Sequence, residues 1–208
     1  MKTESAICAC NDFVVKFANV NGSGSASANE LFARSILRMG VPVSPRNIFP
    51  SNIQGLPTWY EMRVSAAGWL GRRGGCDLMV AMNPQTWDRD VAELDPGGYL
   101  IYDSSKPLPH TKLREDIVVL GVPLMEMCSR EYADPRQRLL FKNIMYVGAL
   151  VALMDMDSAV VEQLMGEQFK GKEKLIAANL RARHLGWAYP RAQRPCPLRP
   201  RPRPAQRG

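Results

Sequence analysis

The sequence predicts an α/β fold of three layers, α/β/α, with a mostly parallel, Rossmann-like sheet and additional helices at the carboxyl end. Three features support this: a strand, glycine loop and helix near the amino end, short apolar strands alternating with helical segments, and a helical second half. The 208 residues suit one domain of ordinary size, and 46% of them are hydrophobic, which is enough to fill a core.

A strand and a glycine-rich loop open the folded part. Residues 13–20, FVVKFANV, are rich in β-branched and aromatic side chains, which is typical of a buried strand. Gly22 and Gly24 follow and allow the positive φ angles of a tight turn. Open α/β sheets usually bind ligands at the carboxyl ends of their strands, and free backbone amides there suit a phosphate or carboxylate. The loop is therefore the first candidate for a ligand site.

A helix is expected after this loop. Ser27 and Glu30 have the spacing of a capping box, so Ser27 is expected to accept hydrogen bonds from the first amides of the helix. Gly40 is well placed to end it. The expected apolar face consists of Leu31, Phe32, Ile36 and Leu37.

The middle of the chain alternates extended and helical segments. Residues 41–50 contain three prolines, so any strand there should be short or peripheral. Residues 51–57, SNIQGLP, read as a loop. We expect further strands at 58–65, 77–83, 99–104 and 116–121, a glycine-rich loop at 68–75, and a helix at 86–94 capped by Thr86.

The second half is predicted to be helical at 135–154, 158–165 and 172–185. The first of these helices should carry a broad apolar stripe that includes Leu139 and Leu140. Several methionines between Met125 and Met165 are interpreted as flexible core packing rather than as a site for a soft metal.

The ends differ in character from the middle. We expect a short leader at 1–10, a folded domain at 11–189, and a disordered tail of Pro and Arg at 190–208. The net charge is +7, but six Arg after residue 186 carry most of it, which leaves +1 on the other 186 residues. Because the basic charge lies in the tail, specific nucleic-acid binding is not expected.

The cysteines and the hydrophobic pattern indicate a cytoplasmic protein that holds no metal. Five cysteines form one C-x-C pair and three scattered positions, which fits free thiols in a reducing compartment and neither a zinc site nor an iron–sulfur cluster. No apolar run reaches the length of a membrane span, and the start lacks a secretory signal. The cysteines are Cys8, Cys10, Cys76, Cys128 and Cys196.

No set of side chains resembles a complete active site. His110 and His184 are interpreted as structural or solvent-facing, and Asp103, at the end of a strand, as a turn cap or a ligand contact. Residues 88, 90 and 93 carry the acids of a short helix and are interpreted as its solvated face. The glycine loop lacks G-x-G-x-x-G and Gly-Lys-Ser, and 41–52 contain no acidic residue for a ribose, which disfavours dinucleotide binding.

Four segments, in this order along the chain, resemble one known family. They are GSGSASANELFARSILRMG, IFPSNIQGLPTWYEMRVS, DLMVAMN and GGYLIYDSS. Together they resemble the gamma domain of 2-oxoacid:ferredoxin oxidoreductases, and most of all the amino-terminal gamma part of the 2-oxoglutarate:ferredoxin oxidoreductase alpha subunit. The resemblance covers roughly residues 12–189.

The resemblance implies a supporting module of an enzyme that is inactive alone. In this family a 2-oxoacid is oxidatively decarboxylated to its acyl-CoA, and electrons pass to ferredoxin. Thiamine diphosphate and an iron–sulfur cluster are expected on a partner beta subunit and an alpha-type domain, with CoA as co-substrate. No cofactor, membrane or specific nucleic acid is expected on this chain alone.

The resemblance also points to two loops that face the CoA side or an interface. The residues it indicates are Asn19, Gly22, Ser23, Gly24, Ser25, Gln54 and Gly55. Many gamma domains have an Arg-Gly-Gly in the second loop, where this chain has Gln-Gly-Leu-Pro. The alternative is a stand-alone protein that binds a phosphorylated metabolite at the glycine loop.

Overall fold

The computed structural model describes residues 9–50, 53–106, 108–193 and 198–205, with only the backbone of residue 110. The predicted alternation of strands and helices is confirmed. The elements are β1 (Asp12–Val20), α1 (Ser25–Arg38), β2 (Val43–Ile48), β3 (Pro57–Ser65), β4 (Leu78–Ala81), α2 (Trp87–Ala92), β5 (Tyr99–Asp103), β6 (Val118–Val122), α3 (Leu124–Glu131), α4 (Pro135–Leu153), α5 (Ser158–Gln168) and α6 (Glu173–Gln193).

The six strands form one mixed sheet in the order β2-β3-β1-β4-β5-β6. Strands β1, β4, β5 and β6 are parallel neighbours. Strand β3 runs antiparallel to both β1 and β2. The proline-containing β2 lies at an edge, as expected, because proline cannot donate a hydrogen bond to a central ladder.

The helical layers on the two faces of the sheet are unequal. On one face α1, α4 and α5 pack with the sheet into a large core that includes Phe17, Phe32 and Tyr146. The other face has a smaller core beneath the six-residue α2, around Trp59 and Trp87. Both layers are present, but most of the buried apolar surface lies on the first face.

Helix α1 begins earlier than the capping box predicts. Gly24 precedes the helix in the left-handed conformation, at φ 78°, so Ser25 is already helical and Ser27 is an exposed residue inside the helix. Glu30 instead accepts a hydrogen bond of 2.9 Å from the Tyr60 hydroxyl. The predicted cap at Ser27 was therefore wrong. The assignment of Leu37 to the apolar face was also wrong, because Leu37 is 57% exposed.

The acids of α2 do not form one solvated face. Asp90 is fully buried and accepts hydrogen bonds from the Trp59 indole (2.7 Å) and the Thr86 hydroxyl (2.6 Å). Thr86 occupies the predicted position just before the helix, but its side chain accepts no hydrogen bond from the first helical amides and so does not cap them. Burial raises the pKa of Asp90, while the two hydrogen bonds oppose that rise. Glu93 forms an ion pair with the buried Lys16, which leaves Asp88 as the exposed acid.

The apolar stripe predicted for helix α4 is buried only in the second half of the helix. Leu139 and Leu140, at its start, are 48% and 54% exposed, whereas residues 145–153 are buried. The core role of the methionines is confirmed at Met145, Met154 and Met165, which are fully buried. Helix α3 was not predicted. None of the helices in the described part of the chain is long and apolar enough to cross a bilayer.

The described part of the tail is packed, which the sequence did not predict. Helix α6 continues to Gln193, and residues 198–205 then form a strap against the segment before β1. Arg201 donates its amide to the Ala9 carbonyl (2.9 Å), and Ala205 donates to the Met39 carbonyl (3.0 Å). Leu198 is fully buried. Residues 1–8, 51–52, 107, 194–197 and 206–208 lie outside the described residues, with Cys8 and Cys196 among them.

Candidate functional site

The two loops indicated by the sequence lie against each other. The glycine loop, residues 20–25, joins β1 to α1, and residues 53–56 run beside it. The Asn21 amide donates to the Leu56 carbonyl (2.8 Å), and the Gly55 amide donates to the Asn21 carbonyl (3.0 Å). The Asn21 side chain also donates to the Ile53 carbonyl, at 3.2 Å. The second loop is thereby fixed to the first by its backbone.

Both glycines of the loop are required by its shape. Gly22 and Gly24 have φ of 79° and 78°, in the left-handed region that side chains disfavour. A methyl group on Gly22 would lie 2.7 Å from Gln54 Cγ, and one on Gly24 would lie 2.7 Å from Leu140 Cδ2. The loop therefore keeps its backbone accessible and close to both neighbours.

A buried amide network holds the loop from beneath. Asn29 donates to the Asn19 side chain (3.3 Å) and accepts from the Tyr146 hydroxyl (2.7 Å). The Asn83 side-chain Nδ2 donates to the Asn19 backbone carbonyl, at 3.4 Å. Burial raises the pKa of Tyr146, so its hydroxyl stays protonated and remains a donor. Asn19 is 3% exposed and is mainly a support for the loop.

Two clefts flank the glycine loop and share Asn19, Asn21 and Gly22. The first, the aromatic cleft, has a volume of about 370 Å³ and extends over β2 and β3. The second, the lysine cleft, has about 290 Å³ and extends toward β4 and α4. The aromatic cleft adds Asn29, Asn47, Phe49, Trp59 and Tyr60, and the lysine cleft adds Gln54, Gly55, Met82, Leu139, Lys142 and Asn143.

Helix α4 contributes two residues that the sequence did not reveal. Asn143 is buried and donates to the Ser23 carbonyl at 2.8 Å, which fixes the centre of the glycine loop. Lys142 lines the lysine cleft, and its side chain is 16% exposed. The signal available in the sequence was that Lys142 and Asn143 are polar residues that interrupt an apolar helix. The helical period alone does not say which end of the sheet such residues meet.

Two other titratable candidates, Asp103 and His184, make contacts within the fold. Asp103 caps its turn by accepting hydrogen bonds from Ser105 and from the Met125 amide, which confirms its interpretation as a turn cap. His184 stacks on Trp187 in α6, with 5.7 Å between ring centroids. The backbone of His110 belongs to a short 3-10 turn at 110–112.

The described cysteines do not fit a cluster or metal site. Cys76 and Cys128 are buried in the cores on opposite faces of the sheet, and Cys10 is exposed. Burial raises the pKa of Cys128 to about 11 and that of Cys76 as well, so both are neutral thiols rather than thiolate ligands. Within the described ranges, no three side chains of His, Cys, Asp or Glu are grouped closely enough to hold a metal ion.

Comparisons with known proteins agree with this fold. The alpha subunit of 2-oxoacid:ferredoxin oxidoreductase 2 from Aeropyrum pernix is 23% identical over an alignment 207 positions long, which covers 82% of this chain and 32% of that protein. The chain thus spans about a third of that relative. The 2-oxoglutarate:ferredoxin oxidoreductase of Magnetococcus marinus, solved with 2-oxoglutarate, coenzyme A and succinyl-CoA bound, superposes with a TM-score of 0.82 at 21% identity, covering 94% of this chain and 34% of that one.

A separate subunit has the same fold. The gamma subunit of a keto/oxoacid ferredoxin oxidoreductase from Geobacter sulfurreducens superposes with a TM-score of 0.67 at 19% identity, covering 86% of this chain and 99% of that one. The model of the family described as pyruvate ferredoxin/flavodoxin oxidoreductase matches residues 14–189, which include the glycine loop, both clefts and most of α6. The chain belongs to the pyruvate ferredoxin/flavodoxin oxidoreductase family.

Proposed function

We propose that this chain is the gamma-type part of a cytoplasmic 2-oxoacid:ferredoxin oxidoreductase that acts on 2-oxoglutarate. The complete enzyme would decarboxylate the 2-oxoacid, transfer the acyl group to CoA and pass the released electrons to ferredoxin. Thiamine diphosphate and the iron–sulfur cluster would be held by a beta subunit and an alpha-type domain. Support comes from the family match and from relatives named for this reaction.

An apolar rim around the glycine loop is the observation that carries this proposal. The rim consists of Phe49, Ile53, Leu56, Leu139 and Leu140, which are 39–65% exposed. The Ile53 and Leu56 carbonyls accept hydrogen bonds from Asn21, Phe49 and Leu139 line the clefts, and Leu140 packs at Gly24. Exposed apolar side chains concentrated in one place favour a protein interface. The partner is therefore expected to cover the clefts.

The residues of the two loops would then face the reaction from the CoA side. Gly22 and Gly24 bring the backbone of the glycine loop to the clefts, and Gln54 adds a flexible amide side chain. Asn19 would act through the network beneath the loop rather than by touching a ligand. No catalytic residue is assigned to this chain. The alternative, a stand-alone binder of a phosphorylated metabolite, would leave the apolar rim open to solvent.

Substitutions in the rim test the proposal. Ile53→Lys combined with Leu139→Lys should reduce recovery of the thiamine- and cluster-bearing subunit at least tenfold when the tagged 208-residue chain is captured from its native cells. Each introduced lysine would become buried in the interface with no partner for its charge. Leu175→Lys is the matched control, because Leu175 is 38% exposed at the start of α6, away from the rim. Equal recovery with the rim variant and the control would refute the proposal.

A further inference from the structure

The strap at residues 198–205 forms its hydrogen bonds to the domain on one side only. Its prolines, at 200, 202 and 204, carry no amide hydrogen. The amides that remain between residues 200 and 205 all donate to the body of the domain: Arg201 to the Ala9 carbonyl (2.9 Å), Arg203 to Asn11 Oδ1 (2.6 Å) and Ala205 to the Met39 carbonyl (3.0 Å). Amides of alternate residues in an extended chain face the same side, so each proline lies where no donor is needed.

Asn11 binds the backbone of the strap with three of its groups. Its amide donates to the Arg201 carbonyl (3.1 Å), its side-chain Nδ2 donates to the Arg203 carbonyl (3.0 Å), and its Oδ1 accepts from the Arg203 amide. Cys10 and Arg201 form a parallel bridge at the same place. Backbone hydrogen bonds of this kind, made when one extended segment is added beside another, bind separate peptides as well as segments of the same chain.

Alternate side chains of the strap face the domain. Leu198, Pro200 and Pro202 are buried, and Leu198 belongs to the large core. Arg199 and Arg203 are exposed. The surface beneath the strap therefore accepts apolar side chains at every second position.

An acid on the body of the domain meets the basic side chains of the strap. Asp155 Oδ2 lies 3.0 Å from Arg203 Nη2 and 3.9 Å from Arg201 Nη1. Among the described residues other than glycine, Asn11 and Asp155 are the ones with positive φ, at 54° and 53°. This conformation is unfavourable for residues with a side chain, and such strain is concentrated at ligand contacts. Both residues that bear it hold the strap with their side chains.

We propose that Ala9, Asn11, Met39 and Asp155 form a peptide-binding groove, called here the strap groove. Its ligand is an extended basic segment with an apolar residue at its start, proline at every second position and arginine between the prolines. The chain's own strap occupies the groove, and a separate segment of the same pattern competes with it. The groove lies beside the residues that precede β1, at the opposite end of that strand from the glycine loop, so the inference does not depend on the oxidoreductase role.

Fluorescence anisotropy with a labelled peptide of residues 197–205 tests the strap groove. The 208-residue chain carrying Leu198→Asp keeps the groove but releases its own strap, because a carboxylate is unfavourable in the core. It should bind the peptide at least about tenfold more tightly than the wild-type chain, whose attached strap competes at an effective concentration of about 1 mM. A peptide of the same residues with its three arginines together should bind at least about tenfold more weakly, since its prolines no longer alternate with donors.

Substitutions in the groove separate recognition of the backbone from attraction between charges. In the Leu198→Asp chain, Asn11→Gly removes one donor and one acceptor while tolerating the positive φ, and it should weaken peptide binding about tenfold. Asp155→Asn should weaken binding about threefold and reduce its dependence on salt. Asp88→Asn is the matched control, because Asp88 is an exposed acid of α2 that pairs with Lys112, and it should leave the affinity unchanged.

Circular dichroism shows whether Leu198→Asp remains folded. If it does not, hydrogen exchange of the wild-type chain decides the question. The amides of Arg201, Arg203 and Ala205 should exchange at least about threefold faster in an excess of the free peptide, which occupies the groove whenever the strap opens, and the rearranged peptide should have no effect. The inference is overturned if folded Leu198→Asp binds no peptide, if both peptides bind equally, or if the free peptide leaves the exchange of the wild-type strap unchanged.

Discussion

The crossing of α4 and α6 should be the part of the fold that is most sensitive to a single methyl group. Gly148 of α4 faces the backbone of Arg183 and Trp187, and Gly186 of α6 faces the backbone of Met145. A methyl group on Gly186 would lie 2.6 Å from the Met145 carbonyl carbon and 2.8 Å from its Cα. These neighbours are backbone atoms, which a rotamer change cannot move.

The expected loss of stability follows from the separation that the helices would need. Ordinary contact between carbon atoms is about 3.5–4.0 Å, so the axes must move apart by about 1 Å. Overpacking of this kind usually costs about 1–3 kcal/mol and sometimes more, and alanine returns up to about 1 kcal/mol in helix propensity. Because the contact is with backbone, we expect Gly186→Ala to lower the free energy of unfolding by about 2–3 kcal/mol.

Urea unfolding followed by circular dichroism measures this, with Gly166→Ala as the matched control. Gly166 lies in α5, and a methyl group there would meet no atom within 4 Å. The control should therefore gain about 0.5–1 kcal/mol from the lower entropy of the unfolded chain and the better helix propensity. If Gly186→Ala changes the free energy of unfolding in the same direction as Gly166→Ala, the close α4–α6 packing is wrong.

Two further predictions concern Asp90 and the strap. Burial raises the folded-state pKa of Asp90, so its protonation adds stability as the pH falls toward 3.8, and that stability is lost as the pH rises through the raised pKa. Asp90→Asn should remove this contribution. Urea unfolding from pH 7 to pH 4 should therefore show the free energy of unfolding of the wild type rising relative to that of the variant. A difference between the two proteins that does not change with pH would contradict the burial of a carboxylate. Leu198→Ala should cost about 2 kcal/mol because Leu198 is fully buried, whereas Leu175→Ala should stay within about 0.5 kcal/mol. Equal losses in these two variants would show that the strap does not pack.

The sequence predicts those parts of the fold that depend on local pattern. Residues 13–20 and the glycines at 22 and 24 indicate the first strand and the turn, because strand-forming side chains and positive φ angles leave local signals. Proline placed β2 at an edge for the same kind of reason. In each case the residue itself restricts its own backbone.

The parts that depend on tertiary contact could not be predicted in this way. Leu139 and Leu140 continue the apolar pattern of α4 yet lie on the surface, since periodicity shows that a face is apolar but not what covers it. Asp90 looked exposed because its partner Trp59 lies in a distant strand. Lys142 meets the glycine loop only because α4 packs beside it. The surroundings of these residues depend on how distant parts of the fold come together, which local sequence propensity does not reveal.

Enzyme activity of the captured complex tests the central claim most directly. The tagged chain would be purified from its native cells, and reduction of a viologen dye would be measured with 2-oxoglutarate or pyruvate, with and without CoA. The proposal predicts dye reduction that requires CoA, prefers 2-oxoglutarate and is lost in eluates of the Ile53→Lys and Leu139→Lys double variant. A chain that elutes alone, folded and without CoA-dependent activity would contradict it.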